Sequence, residues 1–173
     1  MKTKNEPVLN YSPNSNERSS IKEEYERMSS ETIEIPLIIG GKEVFTANYG
    51  SCVQPHDHQK VLAKYHKAGK FEVNKAIEVS IDSWKSWSKT TIEERSKIFR
   101  KAAHLLKGPW RNRINAATML NQSKNIYQAE IDAACELIDF FNFNAEFAEN
   151  ICSKQNLISP KGVNNSLDYR PLE

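Results

Sequence analysis

The pattern of hydrophobic and polar positions changes its period near residue 71. Over residues 35–45, an apolar run, a Gly40-Gly41 pair and a second short run predict a β-hairpin, and a further strand follows at about 61–65. From residue 71 onward, apolar side chains recur every three or four positions, as they do on one face of a helix. The pattern therefore predicts a mostly helical α+β protein with small β elements.

Four helices account for the later part of the pattern. The first spans about residues 71–87, and a capping box that begins at Thr91 starts the second, which runs to about residue 107. A third helix is centred on residues 114–120. The fourth and longest spans about residues 127–151, and its periodicity holds through a segment rich in aromatic residues.

These elements divide the chain into four parts. Residues 1–34 are rich in Asn, Ser, Lys and Glu and predict an extended arm with a short charged helix at about 21–28. Residues 35–70 hold the small β elements, and residues 71–155 hold the helices. Residues 156–173 begin as a loop and end in a short predicted strand, SLDYRPLE.

The longest predicted helix carries acids within a segment, EIDAACELIDFFNF, that is otherwise largely apolar. At about 100° per residue, Asp132, Glu136 and Asp139 fall on one narrow stripe. Most of the remaining circumference of this helix is apolar, and such a helix is normally buried on several sides. The other predicted elements of this chain are expected to cover fewer of those sides. The residues alone favour a solvated stripe of like charges. The alternative is that Glu136 faces a polar cleft and binds a cationic group.

Composition narrows the class of protein. The 173 residues carry a formal net charge of +2, 39% hydrophobic residues and a mean hydropathy of −0.64, which is typical of one folded domain. A charge this small indicates no nucleic-acid partner, and no apolar run has the length of a membrane span. Three cysteines without CxxC spacing indicate free thiols in a reducing compartment.

Motifs that would mark a catalytic or nucleotide-binding site are missing from the sequence, which has no GxGxxG, GxxxxGK[ST] or GxSxG. None of the six glycines is predicted to follow a strand and open a helix, as a phosphate-binding turn requires. His56 and His58 could share a strand face and bind zinc, but two ligands without a clear third favour a surface turn. Acidic and apolar neighbours favour a packed Cys135 over a nucleophile. The residues alone therefore assign no catalytic, cofactor-binding or metal site.

Several segments resemble the Δ1-pyrroline-5-carboxylate dehydrogenases of the aldehyde dehydrogenase superfamily. The most specific is the long, ungapped QAEIDAACELIDFFNFNA at residues 128–145. NEPVL at 5–9, NKAIE at 74–78, the R-x-x-I-F-x-K-A-A pattern at 95–103 and the closing NNSLDYRPLE are also similar. The resemblance covers essentially the whole chain and about the first third of the family's length.

The resemblance implies the N-terminal helical layer and small β elements of an aldehyde dehydrogenase fold, without its Rossmann core and catalytic domain. Such enzymes use NAD to oxidise L-glutamate γ-semialdehyde to glutamate in proline degradation. Their catalytic cysteine and NAD site lie beyond the matched part, so the chain is expected to be truncated and inactive by itself. Glu136 matches the family's glutamate near the aldehyde site, which implies that it binds the ammonium group of the substrate.

Further expectations follow from the same resemblance. The closing strand would begin the flap that the family uses for dimerisation, and Asp132 and Asp139 would remain a solvated or structural stripe. The family usually works in the mitochondrial matrix, with the cytoplasm as the alternative because MKTK is not a clear presequence. The alternative function is a stand-alone helical module that binds a protein partner.

Overall fold

The computed structural model describes residues 2–153 and 157–170. Over these residues the helices are α1 (Asn16–Ser30), α2 (Lys70–Trp87), α3 (Ile92–Lys107), α4 (Arg111–Gln122), α5 (Ile126–Ala129) and α6 (Glu136–Ser153), with a π-helical segment (Glu130–Cys135) between the last two. The strands are β1 (Ile33–Ile35), β2 (Leu37–Ile39), β3 (Lys42–Val44), β4 (Tyr49–Gln54) and β5 (Asp57–His66). The predicted mostly helical α+β character is confirmed.

The strands form two small sheets. In the larger sheet β5 is central, with β1 parallel to it on one side and β4 antiparallel on the other. β2 and β3 form a separate hairpin through Gly40 and Gly41, whose φ angles of 61° and 74° suit a tight turn that residues with a Cβ rarely adopt. The hairpin and β5 are predicted by the pattern. β1 and β4 are missed, because a three-residue strand shows no period and β4 contains Gly50 and Ser51.

The helix boundaries follow local sequence signals closely. The Thr91 hydroxyl accepts from the Glu94 N–H at 3.2 Å, and the Glu94 carboxylate accepts from the Thr91 N–H at 2.9 Å, which confirms the predicted capping box of α3. α2 and α4 lie within a few residues of their predicted positions. The charged helix predicted at 21–28 is present and longer, as α1, with the Ser15 side chain as its N-cap.

Two groups of contacts hold the helices together. Tyr11, Ile21 and Ala116 are buried where the arm, α1 and α4 meet, and Met119 packs against them. At the other end of the molecule α3 packs against α6. There the rings of Phe99 and Phe141 lie 5.8 Å apart, and Arg100 makes a two-point ion pair with Glu149 at 2.5 and 2.7 Å.

The longest helix departs from the regular α-helix assumed above. Over Glu130–Cys135 its turns are wider, and the Glu136 N–H donates to the Ile131 carbonyl five residues back. Such π turns change the angle between successive side chains and are frequent at functional sites. The projection at 100° per residue therefore does not apply between Asp132 and Glu136.

The apolar face of α2 lies open. No residue of α2 is buried, and its large apolar side chains are 38–77% exposed: Phe71, Val73, Ile77, Ile81, Trp84 and Trp87. The hairpin turn touches the opposite part of the helix, where a Cβ added to Gly40 would lie 3.3 Å from Val79 Cγ1. The described chain therefore leaves apolar surface of α2 exposed, whereas the sequence leads us to expect this for the longest helix.

The predicted C-terminal strand is not formed over residues 166–170, which are exposed and have no regular structure. A strand needs a neighbouring backbone in a sheet, and the two sheets of the described residues are built from β1 to β5. The rest of the predicted strand, residues 171–173, lies outside the described residues, as do residues 154–156. None of the described helices combines the length and apolar character required to cross a membrane.

Candidate functional site

Glu136 begins α6 directly after the π-helical segment, and its side chain is exposed. Among the described residues, no side chain or backbone group forms a hydrogen bond or ion pair with the Glu136 carboxylate. Phe140 and Phe147, four and eleven residues further on, share its side of the helix and are 58% and 53% exposed. A charged group is thus free to bind a cation on a surface that is otherwise aromatic.

The other two acids of the predicted stripe are engaged. Lys124 Nζ lies 2.6 Å from Asp132 Oδ2. The Asp139 carboxylate accepts two hydrogen bonds at 2.7 Å from the arm, one from the Asn5 side-chain amide and one from the Glu6 N–H. Both acids thus have bonded partners, and Glu136 stands apart from them.

Sequence reasoning missed the most completely bonded acid of this helix, Glu130, which is 0% exposed. Its Oε1 accepts from the Leu9 N–H at 2.9 Å and from Arg111 Nη2 at 2.5 Å. Its Oε2 accepts from the Tyr11 hydroxyl at 2.8 Å, the Asn115 side-chain amide at 2.8 Å and Arg111 Nε at 3.3 Å. The signal available in the sequence was the four-residue spacing of Arg111 and Asn115, which gives α4 a polar pair on one face.

Arg111 connects this acid to the arm. Its Nη1 lies 2.7 Å from Glu6 Oε1, and its Nη2 donates to the Pro7 carbonyl at 2.9 Å. Lys107 Nζ lies 2.9 Å from the second oxygen of Glu6. Two buried acids and one buried arginine therefore form a network that joins the arm, α4 and the π-helical segment.

The network sets the charge states of its members. Burial opposes the charge on Glu130, but the hydrogen bonds from Arg111, Leu9, Tyr11 and Asn115 outweigh it and lower its pKa. Burial likewise opposes the Arg111 cation, but the bonds to its acids raise the pKa of Arg111. Burial, followed by the bond to Glu130, raises the pKa of Tyr11 far above its usual range. Glu130 and Arg111 thus hold their charges, and Tyr11 stays protonated, through the bonds that join the arm to α4 and the π-helical segment.

Cys135 is buried beside the same network. Burial, followed by the negative charge of Glu130, raises the pKa of its thiol to about 11. A thiol of this pKa is almost entirely protonated near pH 7, and the thiolate is the nucleophilic form. The prediction of a packed, unreactive side chain is consistent with this environment.

The imidazoles proposed as weak zinc candidates lie in different settings. His56 lies in the turn between β4 and β5, where its ring nitrogens bond the side chains of Gln54 and Ser123 at 2.7 and 2.6 Å. His58 is in β5, so the two do not share one strand face. Within residues 2–153 and 157–170, no three His, Cys, Asp or Glu side chains are grouped as a metal site.

Gly69 corrects the expectation that no glycine joins a strand to a helix, because it follows β5 and opens α2. Its N–H is already taken, however, and donates to Glu72 Oε2 at 2.7 Å. A carboxylate at a helix N-terminus occupies the position that a phosphate group would take and repels its charge. The described residues that come nearest to a phosphate-binding turn therefore do not fit the pyrophosphate of NAD.

Comparison with known proteins places this geometry in a family. The sequence model of the aldehyde dehydrogenase family matches residues 45–172. The chain belongs to the aldehyde dehydrogenase family. It is 45% identical over 171 residues to a probable delta-1-pyrroline-5-carboxylate dehydrogenase of Schizosaccharomyces pombe, which covers 98% of this chain and 31% of the relative. It is 40% identical over 173 residues to the human mitochondrial delta-1-pyrroline-5-carboxylate dehydrogenase, covering 100% of this chain and 31% of the relative.

Solved structures of aldehyde dehydrogenases show the same fold over this length. The delta-pyrroline-5-carboxylate dehydrogenase of Mycobacterium tuberculosis bound with NAD superposes with a TM-score of 0.94 at 42% identity, covering 99% of this chain and 32% of that one. A 1-pyrroline-5-carboxylate dehydrogenase from Thermus with bound NAD gives 0.84 at 28% identity, covering 94% and 31%. This aldehyde dehydrogenase chain thus spans about a third of the length of the relatives it matches.

Proposed function

We propose that this chain contributes the substrate-reading face of a dehydrogenase that oxidises L-glutamate γ-semialdehyde to L-glutamate with NAD in proline degradation. The observation that carries the proposal is the free Glu136 carboxylate on an exposed aromatic face, within the segment most similar to the family. The names of the relatives support the reaction.

The chemistry of Glu136 suits this substrate. Glutamate semialdehyde carries an α-ammonium group, which simple aliphatic aldehydes lack. A carboxylate flanked by Phe140 and Phe147 would lose surrounding water when another surface covers the aromatic face. A charge-assisted hydrogen bond is stronger in such a setting, and an aldehyde without the ammonium would leave the carboxylate unpaired.

The described residues suggest which part of the reaction this chain would serve. NAD would take up the hydride when it is bound, and this chain's own residues would bind and orient the amino-acid end of the substrate. Cys135 has a raised pKa, so its thiol is not set up as a nucleophile. We therefore expect no NAD reduction by the 173-residue chain alone.

The proposal includes the compartment and the dimerisation of the complete enzyme. Several relatives are named as mitochondrial enzymes, which supports the mitochondrial matrix, with the cytoplasm as the alternative. Residues 166–170 of the predicted closing strand are exposed, which supports their use as one side of a dimerisation flap.

A chimera tests the role of Glu136. In it, this chain replaces the matched part of the Schizosaccharomyces pombe relative, with and without Glu136→Ala. We expect kcat/KM for glutamate semialdehyde to fall about 10- to 100-fold, because a hydrogen bond to a charged group is lost, while propanal oxidation changes little. Asp132→Ala, which removes a neighbouring acid, should leave the ratio of the two substrates unchanged. Equal losses for both substrates would show that Glu136 is structural.

The open apolar face of α2 favours a second candidate function, a helical module that binds a protein partner. A monodisperse, cooperatively melting 173-residue chain that co-purifies with a full-length dehydrogenase subunit would favour this candidate. A molten or aggregated product would count against it.

A further inference from the structure

The arm ahead of α1 has a periodic structure of its own. Residues 2–10 form neither helix nor strand, yet their burial repeats every third position. Thr3, Glu6 and Leu9 are half-buried, and the residues between them are exposed. A polyproline II segment has three residues per turn, so this repeat is typical of an extended arm with one side against the protein.

The same three residues donate their backbone N–H groups to acids of the longest helix. The Thr3 N–H donates to Glu146 Oε2 at 2.7 Å. The Glu6 N–H donates to Asp139 Oδ1 at 2.7 Å, and the Leu9 N–H donates to Glu130 Oε1 at 2.9 Å. The acceptors occur in the reverse order along the helix, so the arm runs antiparallel to it.

The spacing of the donors matches that of the acceptors. Three residues of polyproline II advance about 9 Å, and the seven helical residues from Asp139 to Glu146 advance about 10 Å. The nine residues from Glu130 to Asp139 include the π-helical segment, whose wider turns shorten the rise. The extended backbone meets all three carboxylates.

Further contacts bind the backbone carbonyls of the arm. Arg111 donates to the Pro7 carbonyl at 2.9 Å, and Tyr127 donates its hydroxyl to the Asn10 carbonyl at 2.9 Å. The Tyr11 ring is 1% exposed and closes the end of the segment. The arm is thus held by its backbone, with carboxylates at N–H groups and side-chain donors at carbonyls, and also by the side chains of Asn5, Glu6 and Tyr11.

We propose that residues 3–11 are a strap, and that Glu130, Asp139, Glu146 and Arg111 form a groove that recognises one extended peptide, this arm. The groove accepts a backbone N–H at every third position, and it also binds the side chains of Asn5, Glu6 and Tyr11. Because the donors belong to one continuous backbone, the strap binds and releases as one unit, and the loss of one acid weakens the bonds to the other two.

Amide hydrogen exchange of the 173-residue chain, resolved by residue with NMR, tests the strap. The N–H groups of Thr3, Glu6 and Leu9 should exchange more slowly than that of Lys4. Asp139→Ala should speed exchange at all three positions by roughly tenfold or more. Glu136→Ala removes an acid of the same helix that does not contact the arm, and it should change none of them. Faster exchange at Glu6 alone would overturn docking as one unit.

A matched pair of proline variants tests whether the backbone is what the groove recognises. Thr3→Pro removes an N–H that donates to the groove, and Lys4→Pro removes one that does not. Exchange at Glu6 and Leu9 should rise several-fold in the first variant and stay near wild type in the second. Equal changes in both variants would overturn the proposed groove.

Discussion

Glu130 and Glu136 lie six residues apart on one continuous helix, yet their surroundings differ completely. Glu130 is 0% exposed and accepts hydrogen bonds from the arm and from α4. Glu136 is exposed beside aromatic side chains and has no bonded partner among the described residues. The oxygens of the Glu130 carboxylate are occupied by hydrogen bonds from the protein, whereas those of Glu136 accept none from the described residues.

The contrast shows how a structural acid differs from a candidate binding acid. A buried carboxylate requires several donors, because an unpaired buried charge is costly, and its bonds then define the geometry of its neighbours. A carboxylate that remains unbonded on an apolar surface gains nothing from the fold that surrounds it. We rest the proposed role of Glu136 on that difference.

The largest effect should come from removing the buried acid. Glu130→Ala leaves Arg111 with one of its two acids, leaves the Tyr11 hydroxyl without its acceptor and leaves the Asn115 amide with the Tyr11 oxygen alone. We expect a loss of about 3–5 kcal/mol in the free energy of unfolding, measured by urea denaturation of the full chain.

The comparison requires that Glu136→Ala change the free energy of unfolding by no more than about 0.5 kcal/mol, as is usual for an exposed residue without contacts. Glu130→Gln, which keeps the size of the side chain, provides a folded variant if Glu130→Ala does not fold. Similar losses at both positions would show that Glu136 is also part of the packed structure.

Two apolar residues of α6 extend the same comparison. Ile138 is 1% exposed, and Phe140, two residues further on, is 58% exposed. Ile138→Ala should cost about 2–5 kcal/mol of unfolding free energy through the cavity it leaves. Phe140→Ala should cost less than about 0.5 kcal/mol. A large, concentration-dependent loss for Phe140→Ala would mean that the aromatic face is already covered by a second copy in solution.

Local signals in the sequence predict much of the fold. The capping box at Thr91 and the Gly40-Gly41 turn act over three or four residues, so their elements are found near the predicted positions. β1 and β4 depend on pairing with β5, which is distant in sequence for β1, and a short strand carries little pattern of its own.

The candidate site was predictable only in part. Periodicity identified an acid within an apolar helix, and the family resemblance directed attention to Glu136. The role of Glu130 depends on Leu9 and Tyr11, more than a hundred residues away, and on a π-helical segment that breaks the assumed 100° period. Side-chain networks between distant segments leave no periodic trace, so a sequence pattern alone does not reveal them.

The smallest predicted effect is a difference in pH dependence between wild type and Glu130→Gln. The hydrogen bonds to Glu130 lower its pKa in the folded state despite its burial, so folding favours the charged form. Its contribution to stability is therefore fully present above the unfolded value of about 4.3 and is lost as the pH falls through the lower folded pKa. Between about pH 5 and 3, the free energy of unfolding should fall more steeply in wild type than in the variant.

Glu24, Glu146 and Glu149, whose pKa values are also lowered, remain in both proteins, so their contributions cancel. Equal slopes would mean that Glu130 does not hold its charge through the network, and the distinction between the two acids would then rest on burial alone.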